Sequence, residues 1–201
     1  MITATRHAAR PLAVALRSLL VLTVLLGIAY PLAITGVGAL LLPHQAAGSP
    51  VTGPAGAVVG SSLLGQSWTL PDGEANPAWF QSRPSVSQYA GNASGGSNLG
   101  PSSAELATTV QDRIDAVARL EQVAPSDVPA DAVTASASGL DPDISPAYAL
   151  LQVPRVARER GLDAAQVETL VRTSITGSDL GFLGEPRVNV LRLNLALAEL
   201  G

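Results

Sequence analysis

The stretch whose composition comes closest to chemistry is Ser94-Gly95-Gly96-Ser97-Asn98-Leu99-Gly100. Glycine-rich turns ahead of a helix present backbone amides to anions, so it reads as a phosphate cradle. No strand clearly precedes it and the chain has no lysine to complete such a cradle, so a tight glycine turn is the plainer reading. Asp141-Pro142-Asp143-Ile144-Ser145 opens like a calcium loop. The sixth position is Pro146 rather than glycine and the twelfth is Gln152 rather than glutamate, so turn and helix-capping chemistry explains the spacing better. Arg83, within Ser82-Arg83-Pro84-Ser85, is the only arginine between the apolar N-terminal region and Arg113. It suits a carboxylate on a partner, or the stapling of its own loop.

Absences exclude more. Without cysteine there is no disulfide, thiolate zinc site or cysteine nucleophile. Without lysine there is neither a Walker A loop nor a serine-lysine hydrolase. The histidines are His7 and His44, and a serine-histidine-aspartate triad would have to use one beside the bilayer. No carboxylate pair, metal-ligand spacing or nucleophile with its base stands out.

The element that positions everything else is the apolar run Leu19 to Leu42, free of charged side chains. About 24 residues at ~1.5 Å each give ~36 Å, enough to cross a ~30 Å hydrocarbon core. A cleaved secretory signal is the alternative, but its apolar core would be roughly 7–15 residues. Arg6, Arg10 and Arg17 precede the run without an acidic residue, leaving nine of the twelve basic residues against all sixteen acidic ones beyond it. Basic flanks stay cytoplasmic, so residues 1–18 are expected inside and the C-terminal part outside. The remainder, at about −7, lacks the basic face that nucleic acid requires. Ala29, Ala33 and Gly36, at i, i+4 and i+7, form a small-residue stripe that lets another helix approach closely; the other reading is that small residues are simply common in membrane helices. Pro31 is expected to kink the helix. The span carries no ionisable group of the kind an ion pathway needs.

Beyond the span, residues 43–55 read as a linker and 56–201 as one extracytoplasmic α+β domain. Ala57-Val58-Val59 and Leu63-Leu64 suggest a short extended segment with a bulge at Gly60-Ser61-Ser62. From Pro71 to Ser103 no period is sustained, yet Trp79, Phe80 and Tyr89 lie there, with Trp68 just before. Disordered linkers lack such residues, so this is a long ordered loop pinned by its aromatics onto the domain or a partner. Ser102-Ser103-Ala104-Glu105 reads as a capping box, with the glutamate three residues after the serine, and Leu106, Val110, Ile114, Val117 and Leu120 follow at helical spacing. Pro125 closes that helix. Val133-Thr134 looks extended. Ser145-Pro146 opens another helix, interrupted at Pro154 and ended at Gly161. Asp163 starts the next, which runs to Gly177; Val188-Asn189-Val190 alternates like a strand, and Leu191 to Leu200 is helical.

The ordered set of Tyr30-Pro31-Leu32, Gly60-Ser61-Ser62-Leu63-Leu64-Gly65-Gln66, Phe80-Gln81-Ser82-Arg83-Pro84-Ser85, Ala93-Ser94-Gly95-Gly96-Ser97-Asn98-Leu99-Gly100-Pro101, Val133 through Asp141, Ile144-Ser145-Pro146, Gln152-Val153-Pro154-Arg155-Val156-Ala157 and Val188 through Asn194 resembles the KdpC family. KdpC is a subunit of the bacterial Kdp potassium-transporting P-type ATPase. Tyr89-Ala90-Gly91-Asn92 departs from it, since the family usually has Tyr and Asn adjacent.

The resemblance implies a non-catalytic accessory subunit in the bacterial plasma membrane, without a cofactor of its own. ATP and potassium would be handled by its partners: a channel-like potassium-binding subunit, a P-type pump subunit and a small membrane subunit. It also implies a chain that stabilises assembly and covers the extracytoplasmic potassium entrance, with Ala29, Ala33, Gly36, Trp79, Phe80, Arg83 and Tyr89 as partner-binding candidates. The alternative it implies is a catalytic chaperone that raises the pump's ATP affinity, with Gly65, Gln66, Ser94, Gly95 and Gly96 as nucleotide contacts.

Overall fold

The computed structural model describes residues 2–201, with side chains from residue 10 onward; those of Arg6 and His7 lie outside the described residues. The chain divides into two compact units, up to Ser49 and from Pro50 on.

The first unit is helical: α1 (Ile2–Leu22), a π-helical stretch (Thr23–Ala29), α2 (Tyr30–Leu41) and the single turn α3 (Pro43–Ala46). Arg10–Leu41 is long and apolar enough to cross a membrane. The π stretch is the structure's answer to Pro31. In an α-helix the proline ring would collide with the carbonyl four residues back, that of Gly27. Widening the preceding turn relieves that clash, and the Tyr30 amide donates to the Leu25 carbonyl, five residues back. Ala29, Ala33 and Gly36 are all exposed on this helix.

The second unit begins within the stretch expected as a linker. β1 (Pro50–Thr52) pairs antiparallel with β2 (Val58–Ser61), matching Pro50 to Ser61 and Thr52 to Val58. The register shift falls between Val51 and Thr52, not at Gly60–Ser62. After the long loop come α4 (Ala104–Glu121), the short turn α5 (Ala130–Val133), β3 (Asp143–Ile144), α6 (Pro146–Leu151), α7 (Val153–Arg160), α8 (Ala164–Ser174), β4 (Ile175–Thr176), β5 (Arg187–Asn189) and α9 (Val190–Ala198). β5 lies between β3 and β4, antiparallel to both, with Val188 opposite Ile144 on one side and Ile175 on the other. The α+β class stands.

Helix ends follow capping chemistry. Ser103, not Ser102, caps α4, its hydroxyl accepting from the Leu106 amide at 3.3 Å. Glu105 therefore sits one position too early for a reciprocal box and instead complements the helix dipole in the first turn. The Ser145 hydroxyl accepts from the Tyr148 amide at 3.0 Å, Pro146 opens α6, and Gly161 ends α7 with φ +66°. Val133 closes a helical turn rather than starting a strand, and α8 gives way at Ile175 to β4 rather than running to Gly177.

The buried core gathers Val153, Val156, Val167, Val171, Val188, Val190, Leu193 and Leu197 from α7, α8, β5 and α9, with Phe80 and Tyr148 as its aromatic members. With few aromatics available, valine is the commonest core residue, and it is supplied by short helices and a three-residue strand whose apolar faces cover one another.

Candidate functional site

The loop between β2 and α4 is held by buried polar side chains. Arg155, 1% exposed, points its Nε at both carboxylate oxygens of Glu121, itself 0% exposed, at 3.0 Å each. Its Nη1 donates to the carbonyls of Pro77 and Trp79, and its Nη2 to Gln152 Oε1 at 2.8 Å. Gln152 in turn clamps the backbone of Gln81, accepting from its amide at 2.6 Å and donating to its carbonyl at 3.2 Å. Asn194 does the same for Phe80, at 3.0 Å in both directions. Two carboxamides thus stand where a neighbouring strand would, satisfying four backbone groups that burial would otherwise leave unpaired. The Gln81 side chain completes the clamp, its amide donating to the carbonyls of Trp68, Asn76 and Trp79.

On this frame the expected partner residues divide. Phe80 is fully buried and packs within the core of its own domain. The Trp79 ring lies 5.3 Å from that of Trp68 and carries the Arg160 guanidinium 4.5 Å from its centre, so it too is engaged inside the domain. Tyr89 donates its hydroxyl to the Arg83 carbonyl at 2.6 Å, and burial pushes that phenol up to about 12. Arg83 stays half-buried at the surface, and the carboxylate it serves is in its own chain, Asp141 at 2.8 Å.

Four of the five nucleotide candidates, Gly65, Ser94, Gly95 and Gly96, converge on one strip, Ser136 to Asp141, but through contacts internal to the fold. The Gly65 amide donates to the Leu140 carbonyl at 2.8 Å, and the Gly95 amide and Ser94 hydroxyl donate to the Ser138 carbonyl at 2.8 and 3.0 Å. Gln66 Nε2 donates to the Val59 carbonyl at 2.9 Å, and Gly96 lies against the backbone of Ala137. Ser85 and Ser87 donate to the Gly139 carbonyl from the other side. The amides of Gly65 and Gly95 therefore already face carbonyl oxygens, the opposite of an anion cradle. Glycine at position 65 is required by closeness: a Cβ there would overlap the Tyr89 ring and the Asp141 carbonyl. Gly65→Ala is expected to lower the domain's stability by about 1–3 kcal/mol, whereas Gly91→Ala, where a Cβ meets open space, leaves it unchanged. Thermal unfolding of the full chain in detergent checks both.

Beside the strip lies a cleft of about 270 Å³ lined by Asp131, Asp141, Asp143, Glu185, Arg83 and Arg187. Arg83 and Asp141 also border a shallower groove of about 700 Å³ that runs past Leu63, Leu64 and Ser138. The residues that resemble a calcium loop build the cleft wall. Asp141 Oδ1 accepts from the Asp143 amide at 3.1 Å, Asp143 Oδ1 from Asn189 Nδ2 at 3.1 Å, and Arg187 Nε stands 3.5 Å from Asp143 Oδ2. Burial raises the Asp143 carboxyl above its ordinary range, the Asn189 hydrogen bond opposes this, and Asp141 adds to it. With two guanidiniums turned to these carboxylates, the arrangement is a charge network and not a cation cage. Among the described residues no three metal-ligating side chains come together.

Sequence reasoning missed Glu121, Gln152, Arg155 and Asn194. Their signal is a polar residue on an otherwise apolar helical stripe: Gln152 and Arg155 stand one turn apart beside Val153 and Val156, and Asn194 stands between Leu193 and Leu197.

The family model described as "KdpC: K+-transporting ATPase, c chain" matches residues 12–199. A protein of Streptomyces coelicolor named potassium-transporting ATPase KdpC subunit is 50% identical, over 100% of this chain and 97% of its own. Proteins of the same name from Sorangium cellulosum and Variovorax paradoxus are each 52% identical, covering 91% and 88% of this chain and 94% and 89% of theirs. Since one family model takes in the apolar helix, the clamped loop and α9 alike, the chain belongs to the KdpC family of K+-transporting ATPase c chains.

Proposed function

We propose that this chain is a non-catalytic accessory subunit of an ATP-driven potassium uptake complex in the bacterial plasma membrane. Its span stabilises the assembly, and its C-terminal domain covers the extracytoplasmic potassium entrance of the channel-like subunit. The observation that carries the reading is a helix long and apolar enough to cross a membrane, bearing Ala29, Ala33 and Gly36 on its surface, in a family whose relatives are named ATPase subunits. The same geometry suits contact with the pump subunit and the small membrane subunit within the bilayer. The alternative, a chaperone contacting ATP through Gly65, Gln66, Ser94, Gly95 and Gly96, is not favoured, because the amides of Gly65 and Gly95 and the side chains of Gln66 and Ser94 are engaged with carbonyls of the domain itself.

Orientation tests the reading. The chain has no cysteine, so single cysteines at Thr5 and Ser97 can be labelled in intact cells by an impermeant thiol reagent. Labelling at Ser97 alone is the expected outcome, from the basic N-terminal flank. Labelling at Thr5 alone would place the domain in the cytoplasm and overturn the covering role.

A further inference from the structure

Residues 178–185, between β4 and β5, form a tight turn closed by the Asp179–Leu183 bridge, and its apolar side chains point away from the core. Leu180 is 82% exposed and Phe182 75% exposed, with Leu183 beside them also uncovered. Phe182 is the only phenylalanine besides the fully buried Phe80. Leu180 is held at φ +54°, a region unfavourable to a leucine, just ahead of Gly181 and Gly184, which take the other positive φ values of the turn. The backbone is strained in order to display a large apolar side chain to water, the opposite of what stability alone would select.

The surroundings say what kind of surface fits over it. Asp179 and Glu185 flank the tip, and Glu185 continues into the cleft with Asp131, Asp141 and Asp143. These five carboxylates stand near three guanidiniums, Arg83, Arg187 and Arg192, so the patch is acidic by about two charges. Arg187 is already turned inward, to Asp179 at 3.4 Å and Asp143 at 3.5 Å. An acidic rim around an apolar knob is repelled by anionic lipid headgroups and attracted to arginine and lysine.

We propose that Leu180, Phe182 and Leu183 form a docking knob that inserts into an apolar pocket rimmed by basic side chains on a partner protein subunit, with the Asp179 and Glu185 carboxylates meeting the basic rim. This rests on the reading of the chain as a subunit of a larger complex and names the surface it uses. The knob supplies the buried aromatic anchor from which protein interfaces draw most of their affinity, and the acidic rim fixes its approach.

The test titrates the purified full chain, in detergent, onto the remaining complex prepared without it. Phe182→Ser and Leu180→Ser leave the core untouched and are expected to weaken association by about thirtyfold each, equivalent to about 2 kcal/mol. Asp179→Asn with Glu185→Gln is expected to weaken it severalfold at low salt and to flatten its salt dependence. Unchanged affinity in both serine variants, with thermal unfolding also unchanged, overturns the proposal. Tighter association after carboxylate neutralisation overturns the basic rim. The full chain reconstituted in vesicles of phosphatidylethanolamine and phosphatidylglycerol provides the remaining arm: if a fluorophore on a cysteine at position 182 is quenched from within the lipid acyl chains while Phe182→Ser leaves association with the complex unaffected, the knob belongs to the membrane and the proposal fails. Thiol labelling that places the domain in the cytoplasm would remove the covering role while leaving the association result to stand.

Discussion

Replacing Arg155 with methionine is expected to remove about 3–5 kcal/mol of stability from the C-terminal domain. The loss comes from what remains rather than from what is removed. Glu121 would be left buried without its countercharge, and the carbonyls of Pro77 and Trp79 and the Oε1 of Gln152 would each lose a donor. Since a domain of this size holds only about 5–15 kcal/mol in total, the variant should sit near its unfolding midpoint in mild denaturant. Both tryptophans lie in or beside the clamped loop, Trp79 within it and Trp68 stacked upon it, so their fluorescence follows the event in urea titrations of the full chain in detergent. The companion measurement separates charge from packing: Arg155→Met together with Glu121→Leu is expected to recover most of the loss, because an apolar pair of similar volume is often as stable as a buried ion pair. A double variant no better than the single one would show that the carbonyl contacts of Arg155, and not its pairing with Glu121, carry the effect.

Asn194→Leu, nearly isosteric, is expected to cost about 2–4 kcal/mol, because it leaves the amide and the carbonyl of Phe80 buried with nothing to bond. Phe80 should then leave the core more readily than the helices unfold, so proteolysis within residues 71–103 should accelerate before global unfolding is detected. A loss below about 1 kcal/mol with unchanged proteolysis would mean that apolar packing of Phe80 alone holds the segment.

Much of this architecture is legible in the amino-acid order. The apolar run, the long amphipathic helix after Ser103, and the Ser145-Pro146 start and Gly161 stop are local signals, set by chemistry within one turn of the residue concerned. The three-stranded sheet is legible only at Val188-Asn189-Val190, since β3 and β4 have two residues each and no period can show in two residues. The cap of α4 moved by one residue because Ser102 and Ser103 offer the same hydroxyl and only the backbone decides between them. The aromatics do pin the loop, with Phe80 buried in the core and Trp79 set against Trp68 and Arg160. Gln152, Arg155 and Asn194 show only as single polar residues on apolar stripes, because the loop they hold lies 71 to 114 residues earlier, and Glu121 is joined to it only through Arg155, 34 residues on. Likewise Gly65 and Gly95 look like a ligand cradle because a turn that docks on a protein carbonyl and one that docks on a phosphate use the same residues.

The carboxamide clamp also sets an order of events during synthesis. Phe80 is made 114 residues before Asn194, and Gln81 precedes Gln152 by 71. At about 5–20 residues per second, the early loop waits roughly 6–23 s for the side chain that fixes it. The segment that buries the protein's innermost phenylalanine thus stays unlocked until α9 has left the ribosome, and the domain closes as a whole once α9 is made rather than from its N-terminal side.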